Sequence, residues 1–352
     1  MTRRANVLGL GLIGGSVALA LAKRGWHVTG DDLEPGRATV ALERGVVAAV
    51  GIDAGAEFSV VATPVGGVAD AARRLLAATR GVVTDVGGVK RPVAEAVADP
   101  RFVPGHPMAG SELSGLDGAD ESLFEGAVWV LTPTAATSDD AFSRVAGVVG
   151  ELGAEMVVLS PERHDDLVAV VSHLPHLTAA SLMGLAEGAA DEHAATLRLA
   201  AGGFRDMTRV ASGHPAIWLD VCRDNREAIL RALDGLLGRL GEMREIVAAG
   251  DGTRLEARLG AARAARRNLP GRVRDLAEVA EVRIPIPDRP GAAAEVFALA
   301  ADLAVNVANF EVAHSVEGDR GVLVVVVDRG ATERFRGGLI ARGFRPTIHD
   351  VA

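Results

Sequence analysis

Two patterns of apolar residues alternate in the first half of the chain. Short, Val-rich apolar runs recur at intervals of roughly 20 to 30 residues as far as about residue 160, and longer Ala- and Leu-rich segments lie between them. The strand candidates are 5–9, 27–31, 59–63, 82–85, 102–105, 128–132 and 156–159, and the helix candidates include 16–23, 35–44 and 65–78. This βαβ alternation predicts an α/β Rossmann-like domain, with a parallel sheet covered by helices on both faces.

The pattern changes twice in the second half. After Pro161 the strand signals stop, and Leu, Ala and Met recur at three- and four-residue spacing to about Arg274, which predicts an all-α domain. Strands return at 282–286, 305–312 and 322–327, with helices at 292–301 and 332–342, which predicts a small α+β domain. The expected domains are therefore 1–165, 166–275 and 281–352.

Two sequence features mark the predicted helical region: an apolar helix face and a basic stretch at its end. Leucines at 230, 233, 236, 237 and 240 lie on one face of a predicted helix, which is typical of a core or a subunit interface. The basic stretch 262–272, ARAARRNLPGR, is interpreted as a linker because of its Gly and Pro.

Composition excludes several classes of function. The chain has 352 residues, a net charge of −9 and a pI near 5.5, without the clustered positive charge that binds nucleic acid or an anionic membrane. The single Cys222 predicts neither an internal disulfide nor a zinc site. Charges and Gly clusters interrupt every long apolar stretch, and the N-terminus reads as a nucleotide motif rather than a signal peptide. We expect a cytoplasmic protein without a metal.

A glycine-rich turn follows the first strand candidate. Gly9, Gly11 and Gly14 form a GxGxxG pattern between that strand and the next helix. In this context the first glycine permits a tight turn, the second lets a pyrophosphate approach the backbone, and the third lets helix and strand pack closely. The turn predicts a dinucleotide-binding site; a glycine-rich turn without a ligand is the alternative.

Two acidic residues lie at the end of the second strand. Asp31 and Asp32 lie about 20 residues past the glycines, where a carboxylate would hold the ribose hydroxyls and repel a 2′-phosphate. Asp32 is the preferred candidate because it lies just past the strand, and capping of the next helix is the alternative role. We therefore expect NAD rather than NADP.

Candidate catalytic residues occur in three later motifs. FVPGHPMAGSELSG places His106 in a Gly- and Pro-rich loop after a strand, where it can face a cofactor at the carboxyl edge of the sheet. Histidine titrates near neutrality, as a base beside a hydride donor should. SHLPH and GGFRDMTRVA supply further polar side chains: Ser172, His173, His176, Arg205, Asp206 and Arg209.

Six motifs, in this order, resemble those of the prephenate and arogenate dehydrogenases of tyrosine biosynthesis. They are GLGLIGGS, ATP at 62–64, TDVGGVK, GHPMAGSE, SHLPH and GGFRDMTR, and they span almost the whole chain. The resemblance implies a homodimeric enzyme that uses NAD to oxidise and decarboxylate prephenate to 4-hydroxyphenylpyruvate, or arogenate to tyrosine.

The resemblance also implies roles for single residues. His106 matches the histidine that hydrogen-bonds the ring hydroxyl, and Arg209 matches the arginine that binds the ring carboxylate. The residues implied at the substrate pocket are Glu112, Ser172, His176, Gly202, Asp206 and Trp218. Those implied at the cofactor are Gly9, Gly11, Leu12, Ile13, Gly14, Asp32, Thr63, Pro64, Asp85 and Gly88.

One position departs from the family pattern. Where the family usually has a serine in its DxGSxK motif, TDVGGVK has Gly88, while Lys90 is kept. A hydroxyl close to His106 is therefore missing, and a water molecule or Ser111 are the alternatives that would replace it.

The tail resembles an ACT domain, a small ferredoxin-like βαββαβ module that binds amino acids at its interfaces. The recognisable part is the DRPG turn with Gly291, followed by Asn306. The resemblance implies feedback sensing of tyrosine, and a purely dimerising domain is the alternative.

Other functions remain as alternatives. The 3-hydroxyacid and 6-phosphogluconate dehydrogenases share this plan but need a catalytic lysine in the helical domain, and the only lysines are Lys23 and Lys90. A non-catalytic regulator that binds NAD and an amino acid is a further alternative. Between the two favoured substrates, Glu112 would suit the amino group of arogenate and His176 the oxo group of prephenate, and prephenate is preferred.

Overall fold

The first part of the chain forms a six-stranded parallel sheet. The structure is a computed structural model and describes residues 2–110, 113, 115–192, 199–213, 215–267, 279–287, 289–314 and 320–350. The strands are β1 (Arg4–Leu8), β2 (His27–Asp31), β3 (Ala49–Val50), β4 (Phe58–Val61), β5 (Val82–Asp85) and β6 (Phe102–Val103), in the order β3-β2-β1-β4-β5-β6. All of β1 except its first residue is buried, as expected for a strand covered on both faces. The predicted Rossmann-like sheet is confirmed.

Four helices connect these strands. They are α1 (Leu12–Lys23), α2 (Pro35–Glu43), α3 (Val65–Ala78) and α4 (Arg91–Ala96). The central β1 pairs with β2 on one side and with β4 on the other, so the strand order reverses beside it. Ligands of such sheets bind at the carboxyl ends of the strands at this switch point. The turns that follow β1 and β4 therefore mark the expected site.

A second, three-stranded sheet carries part of the site. It consists of β7 (Gly105–Pro107), β8 (Val128–Leu131) and β9 (Glu155–Val158), with α5 (Asp139–Glu151) between the last two. The strand predicted over 102–105 is in fact two strands in different sheets, and β7 runs antiparallel to β8. Pro104 separates them because a proline has no N–H to continue the first ladder.

The region after Pro161 is helical, as predicted. It contains α6 (Pro161–Val168), a π-helical turn (Ala169–His173), α7 (Leu174–Glu192), α8 (Gly202–Thr208), a 3-10 turn (Arg209–Ser212), α9 (Pro215–Asp224), α10 (Arg226–Ala249) and α11 (Gly252–Arg267). The described part of the predicted linker, 262–267, is the end of α11 rather than a loop. By length and composition alone, the stretch Pro161–Gly188 could cross a membrane. The same stretch contains the buried polar side chains of His164 and Asp165.

The chain divides into two compact units, Met1–Arg244 and Glu245–Ala352. The second unit contains β10 (Val279–Pro287), α12 (Ala292–Asp302), β11 (Val307–His314), β12 (Arg320–Asp328), α13 (Thr332–Ala341) and β13 (Thr347–Asp350). The sheet is antiparallel in the order β11-β12-β10-β13, a ferredoxin-like βαββαβ arrangement. Alternate residues of β10, such as Val282 and Ile284, pack with Phe335 in its core. The predicted domain bounds at 165, 275 and 281 stay predictions.

Candidate active site

The glycine turn after β1 is shaped by packing within the protein. Gly9 has φ +92°, in the left-handed region that favours glycine, and a Cβ there would lie 2.5 Å from the carbonyl oxygen of Ala62. A Cβ on Gly14 would lie 1.8 Å from the carbonyl oxygen of Gly9. Both positions therefore exclude a side chain, and α1 packs directly against the turn.

Gly11 has a different environment. Apart from Gly11 itself and its two chain neighbours, no atom of the described residues lies within 4 Å of the place that its Cβ would occupy. It is the N-cap of α1, whose first turn, with Leu12 and Ile13, has no acidic residue and no capping side chain in the described chain. Uncapped N–H groups at a helix N-terminus attract anions. The open backbone at Gly11 therefore fits the pyrophosphate of a dinucleotide.

The carboxylates of Asp31, the last residue of β2, and of Asp32, just after it, have separate partners. Asp32 accepts hydrogen bonds from the backbone N–H of Leu10 at 2.7 Å and from the Arg37 guanidinium at 3.3 Å. Asp31 pairs instead with Arg74 of α3 at 2.9 Å. Because Asp32 is bonded to the glycine turn itself, its position supports the choice of Asp32 as the ribose ligand.

Thr63 and Pro64 form the turn between β4 and α3 at the same edge of the sheet. Pro64 is the N-cap of α3. The Thr63 hydroxyl is buried and has no hydrogen-bond partner among the residues that the structure describes. Buried polar groups are nearly always satisfied, so this turn is a place where a ligand or water would supply the partner.

Asp85, expected at the cofactor, has a different role in the structure. Its carboxylate is fully buried in an ion pair with Lys90, and it accepts hydrogen bonds from the N–H groups of Gly87 at 2.8 Å and Gly105 at 3.1 Å. Lys90 donates in turn to the carbonyl of Gly105 at 2.7 Å, and burial lowers the Lys90 pKa. Both carboxylate oxygens are engaged within the protein. Asp85 therefore holds the residue next to His106, and its place at the cofactor stays a prediction.

His106 lies in β7 at the carboxyl edge of the first sheet. Its Nδ1 is 2.8 Å from Nε2 of His164. Its Nε2 faces Gly88, where an added Cβ would lie 3.8 Å away. Burial, followed by the nearby His164, Lys90 and His173, holds the His106 pKa well below its usual 6.5. The ring is therefore neutral at physiological pH and can accept a proton.

Two members of this cluster, His164 and Asp165, were not among the site residues predicted from the sequence. Asp165 Oδ1 lies 2.8 Å from His164 Nδ1, and it also accepts the backbone N–H of Lys90 at 2.8 Å. Its Oδ2 accepts the backbone N–H of Arg91 at 2.9 Å. The only signal in the sequence is a His-Asp pair in the first helix of the helical region, and nothing relates it to His106, 58 residues earlier.

A second group of rings continues from this cluster. The Asn225 amide donates to the carbonyl of Asp165 at 2.8 Å and lies 3.3 Å from Nδ1 of His173. His173 meets the edge of Trp218, and Trp218 stacks on His176 with centroids 3.6 Å apart. Burial lowers the His173 pKa to about 4. A continuous series of contacts therefore joins β7 to the helices of the predicted substrate pocket.

The remaining predicted substrate residues lie on the neighbouring helical segments. Arg209 begins the 3-10 turn, and the backbone of the following Val210 is hydrogen-bonded to His176. Gly202 and Asp206 are exposed on α8, and Ser172 is half-buried in the π-helical turn. Glu112 and Ser111 lie outside the described residues.

Family models match most of the chain. Residues 17–158 match the model described as "Prephenate dehydrogenase, nucleotide-binding domain", and residues 160–261 match "Prephenate dehydrogenase, dimerization domain". The two models cover the last part of α1, His106, the histidine cluster and Arg209.

Relatives match over similar lengths. The chain is 35% identical to the prephenate dehydrogenase of Bacillus subtilis over 333 residues, which are 90% of this chain and 89% of that protein. It resembles prephenate dehydrogenase from A. aeolicus in complex with hydroxyphenyl propionate and NAD+ (TM-score 0.71, 28% identity, 76% of this chain and 98% of that one). It also resembles Synechocystis arogenate dehydrogenase (TM-score 0.66, 30% identity, 75% and 98%). The chain thus belongs to the prephenate dehydrogenase family of NAD-dependent oxidoreductases.

Proposed function

We propose that this protein oxidises prephenate with NAD and releases carbon dioxide and 4-hydroxyphenylpyruvate, with arogenate as the alternative substrate. The observation that carries the proposal is the neutral His106, whose Nε2 faces Gly88 at the carboxyl edge of a sheet that also carries the open turn at Gly11. A base beside a dinucleotide site is what the oxidation of an alcohol requires.

The substrate chemistry explains the choice of residues. Prephenate is a cyclohexadienol with a ring carboxylate, and NAD supplies the hydride acceptor for its carbinol carbon. His106 Nε2 accepts the hydroxyl proton as the carbonyl forms. The bond between the ring carbon and its carboxylate then breaks and releases carbon dioxide. The electron pair of that bond makes the ring aromatic, and the proton on His106 returns to the ring oxygen. Every atom and charge is accounted for without a second base.

Arg209 is proposed to orient the substrate. Its guanidinium can bind a carboxylate through two parallel hydrogen bonds, which provides orientation as well as affinity. Support comes from its place on the turn whose next residue, Val210, bonds His176, beside the stacked Trp218. Ser172, Gly202 and Asp206 are proposed to complete the pocket from the adjacent helical segments.

The preference for NAD over NADP rests on Asp32. Its carboxylate is held at the glycine turn by the Leu10 N–H and would repel a 2′-phosphate. Arg37 is close to Asp32, but it is shared between Asp32 and Glu34, so its charge is already balanced. A tenfold better turnover with NADP would overturn this assignment.

One assay tests the proposed function. Formation of reduced cofactor is followed at 340 nm with prephenate and arogenate in turn, each with NAD and NADP, while released carbon dioxide is measured. We expect turnover with NAD and prephenate and a lower kcat/KM with arogenate. A higher kcat/KM with arogenate than with prephenate would make arogenate the substrate. Absence of turnover with both compounds would refute the proposed dehydrogenase function. His106→Asn serves as the inactive control.

The second unit is proposed to sense tyrosine. Its ferredoxin-like topology and the turn at Gly291, with φ +88° at the start of α12, support the resemblance to an ACT domain. Calorimetric titration with tyrosine, with phenylalanine as the control ligand, tests this proposal together with the effect of tyrosine on kcat and KM. If tyrosine neither binds nor changes kcat or KM, a purely dimerising role of this unit is the alternative.

A homodimer in the cytoplasm is also proposed. The predicted leucine face of α10 is exposed in the single chain: Leu230 is 48%, Leu237 63% and Leu240 54% accessible. An exposed apolar face of this kind is typical of an association surface, and this helix lies in the segment that matches a dimerization model. The proposed dimer is tested by measuring the molar mass of Leu237→Glu and of the unchanged protein by light scattering. We expect the mass of a dimer for the unchanged protein and the mass of a single chain for the variant.

A further inference from the structure

Three side chains are aligned behind the proposed base. His106 Nδ1 lies 2.8 Å from His164 Nε2, and His164 Nδ1 lies 2.8 Å from Asp165 Oδ1. His164 is completely buried and Asp165 is 4% exposed. The series joins β7 to the first turns of α6, and it ends on a carboxylate that is almost entirely shielded from solvent.

The hydrogen-bond partners of Asp165 determine where each proton lies. The backbone N–H groups of Lys90 and Arg91 donate to its two oxygens, at 2.8 and 2.9 Å, and such bonds favour the ionised carboxylate. An ionised carboxylate only accepts, so His164 must carry its proton on Nδ1. The His164 Nε2 then carries a lone pair and can only accept a hydrogen bond. The bond to His106 therefore requires the His106 proton on Nδ1. The lone pair of His106 is therefore on Nε2, which faces Gly88.

We propose that His164 and Asp165 are positioning residues that hold His106 in the Nδ1–H tautomer, so that its Nε2 is the atom that takes the substrate proton. The inference rests on the proposed function. Asp165 also stabilises the imidazolium that forms when His106 is protonated, because a negative charge lies two hydrogen bonds away. The same logic, in which a buried carboxylate orients a histidine base, operates in hydrolase triads.

The other groups around His106 do not perform this task. Lys90 and His173 face the ring from the loop before α4 and from the π-helical turn, and both lower the pKa of His106 along with burial and His164. Lys90 donates its side-chain protons to Asp85 and Gly105, and Nδ1 of His173 faces the Asn225 amide. Among the described residues, the hydrogen-bond partner recorded for Nδ1 of His106 is His164.

A pair of matched substitutions at His164 isolates the acceptor. In His164→Gln the side-chain amide reaches the position of Nε2, and its oxygen can accept the His106 Nδ1–H bond. His164→Leu has similar bulk and no acceptor. We expect kcat to fall by about 10²-fold in the Leu variant and by less than about 10-fold in the Gln variant, with NAD affinity unchanged in both. Equal losses in the two variants would overturn the proposal.

The tautomer itself can be observed without turnover. Protein labelled with ¹⁵N- and ¹³C-histidine shows each ring tautomer in long-range correlation spectra, and His106→Asn identifies the His106 signals by their loss. We expect the Nδ1–H form in the native protein at pH 7.5 and loss of that preference in His164→Leu and in Asp165→Asn. An Nε2–H form in the native protein would refute the proposal, even if a variant did not fold. Because this measurement needs no substrate, it separates failure of the tautomer control from failure of the proposed function.

Discussion

The glycine turn and the histidine cluster of the same unit are built in opposite ways. The turn lies within residues 9–14 and depends on the absence of side chains at Gly9 and Gly14. The cluster brings His106, His164 and His173 together from three separate elements, and its chemistry depends on burial and on the order of hydrogen bonds. The comparison shows that a binding site for a cofactor can be local in sequence, whereas the protonation state of a base is a property of the packed structure.

The largest effect is expected within the glycine turn. Gly14→Ala would place a Cβ 1.8 Å from the Gly9 carbonyl, so α1 must move and both NAD binding and stability should be lost, the latter by about 1–3 kcal/mol or more. Gly11→Ala meets no described atom, so the free energy of unfolding should change by less than about 0.5 kcal/mol while NAD binds more weakly. Denaturant unfolding and NAD titration measure both variants. Equal stability of the two would contradict a turn that is shaped by packing.

Acid should destabilise the histidine cluster. The folded-state pKa of His173 is about 4, below its unfolded value of 6.5, so its contribution to stability is full above pH 6.5 and is lost as pH falls toward 4. The loss is on the order of 3 kcal/mol. His106, with its lowered pKa, adds in the same direction. Unfolding curves between pH 7 and 4 test this, and His173→Gln should show a shallower pH dependence of the free energy of unfolding than the unchanged protein.

Removal of the base tests the chemical half of the comparison. His106→Asn should bind NAD normally and lose turnover by about 10²-fold or more, because proton transfer is lost while the glycine turn is intact. NAD titration and steady-state turnover separate the two effects. Near-normal turnover would refute the role of His106.

A substitution at Arg209 distinguishes an effect on substrate binding from an effect on the chemical step. Arg209→Ala should raise KM for the substrate by about 10-fold with little change in kcat, because its proposed role is to hold a carboxylate. Arg205→Ala, one turn earlier on the exposed side of α8, is the matched control. A lowered kcat with an unchanged KM would argue for a different role.

The smallest expected effect concerns Gly88. Gly88→Ser adds a hydroxyl on a Cβ that would lie 3.8 Å from His106 Nε2. This hydroxyl would compete with the substrate for the lone pair on Nε2, so kcat/KM should fall by about threefold, the worth of one modest hydrogen bond. Gly88→Ala fills the same space without a hydroxyl and should leave kcat/KM unchanged. If both variants behave alike, the missing family hydroxyl has no role in this protein.

The elements that were predicted correctly are those with local determinants. Strands such as 27–31 and 82–85 agree with β2 and β5, and 65–78 agrees with α3, because each apolar run is long enough to be distinguished from its flanking turns. The strand at 102–105 was only partly right, because the division at Pro104 depends on which neighbour each half pairs with. Asp85 was assigned to the cofactor by resemblance, and its burial against Lys90 became visible only in the fold.

By itself, the sequence determined most of the strands and helices, the glycine turn and the six motifs that indicate the family, since each of these is encoded within a short span of neighbouring residues. The short strands β3 and β13 were not among the predicted strands. Only the tertiary structure revealed that His164 and Asp165 lie behind His106, and that the carboxylate of Asp32 rather than that of Asp31 bonds to the turn. The physical reason is that a histidine's tautomer and pKa are set by desolvation and by partners at hydrogen-bond distance, and those partners are distant in the chain until it folds.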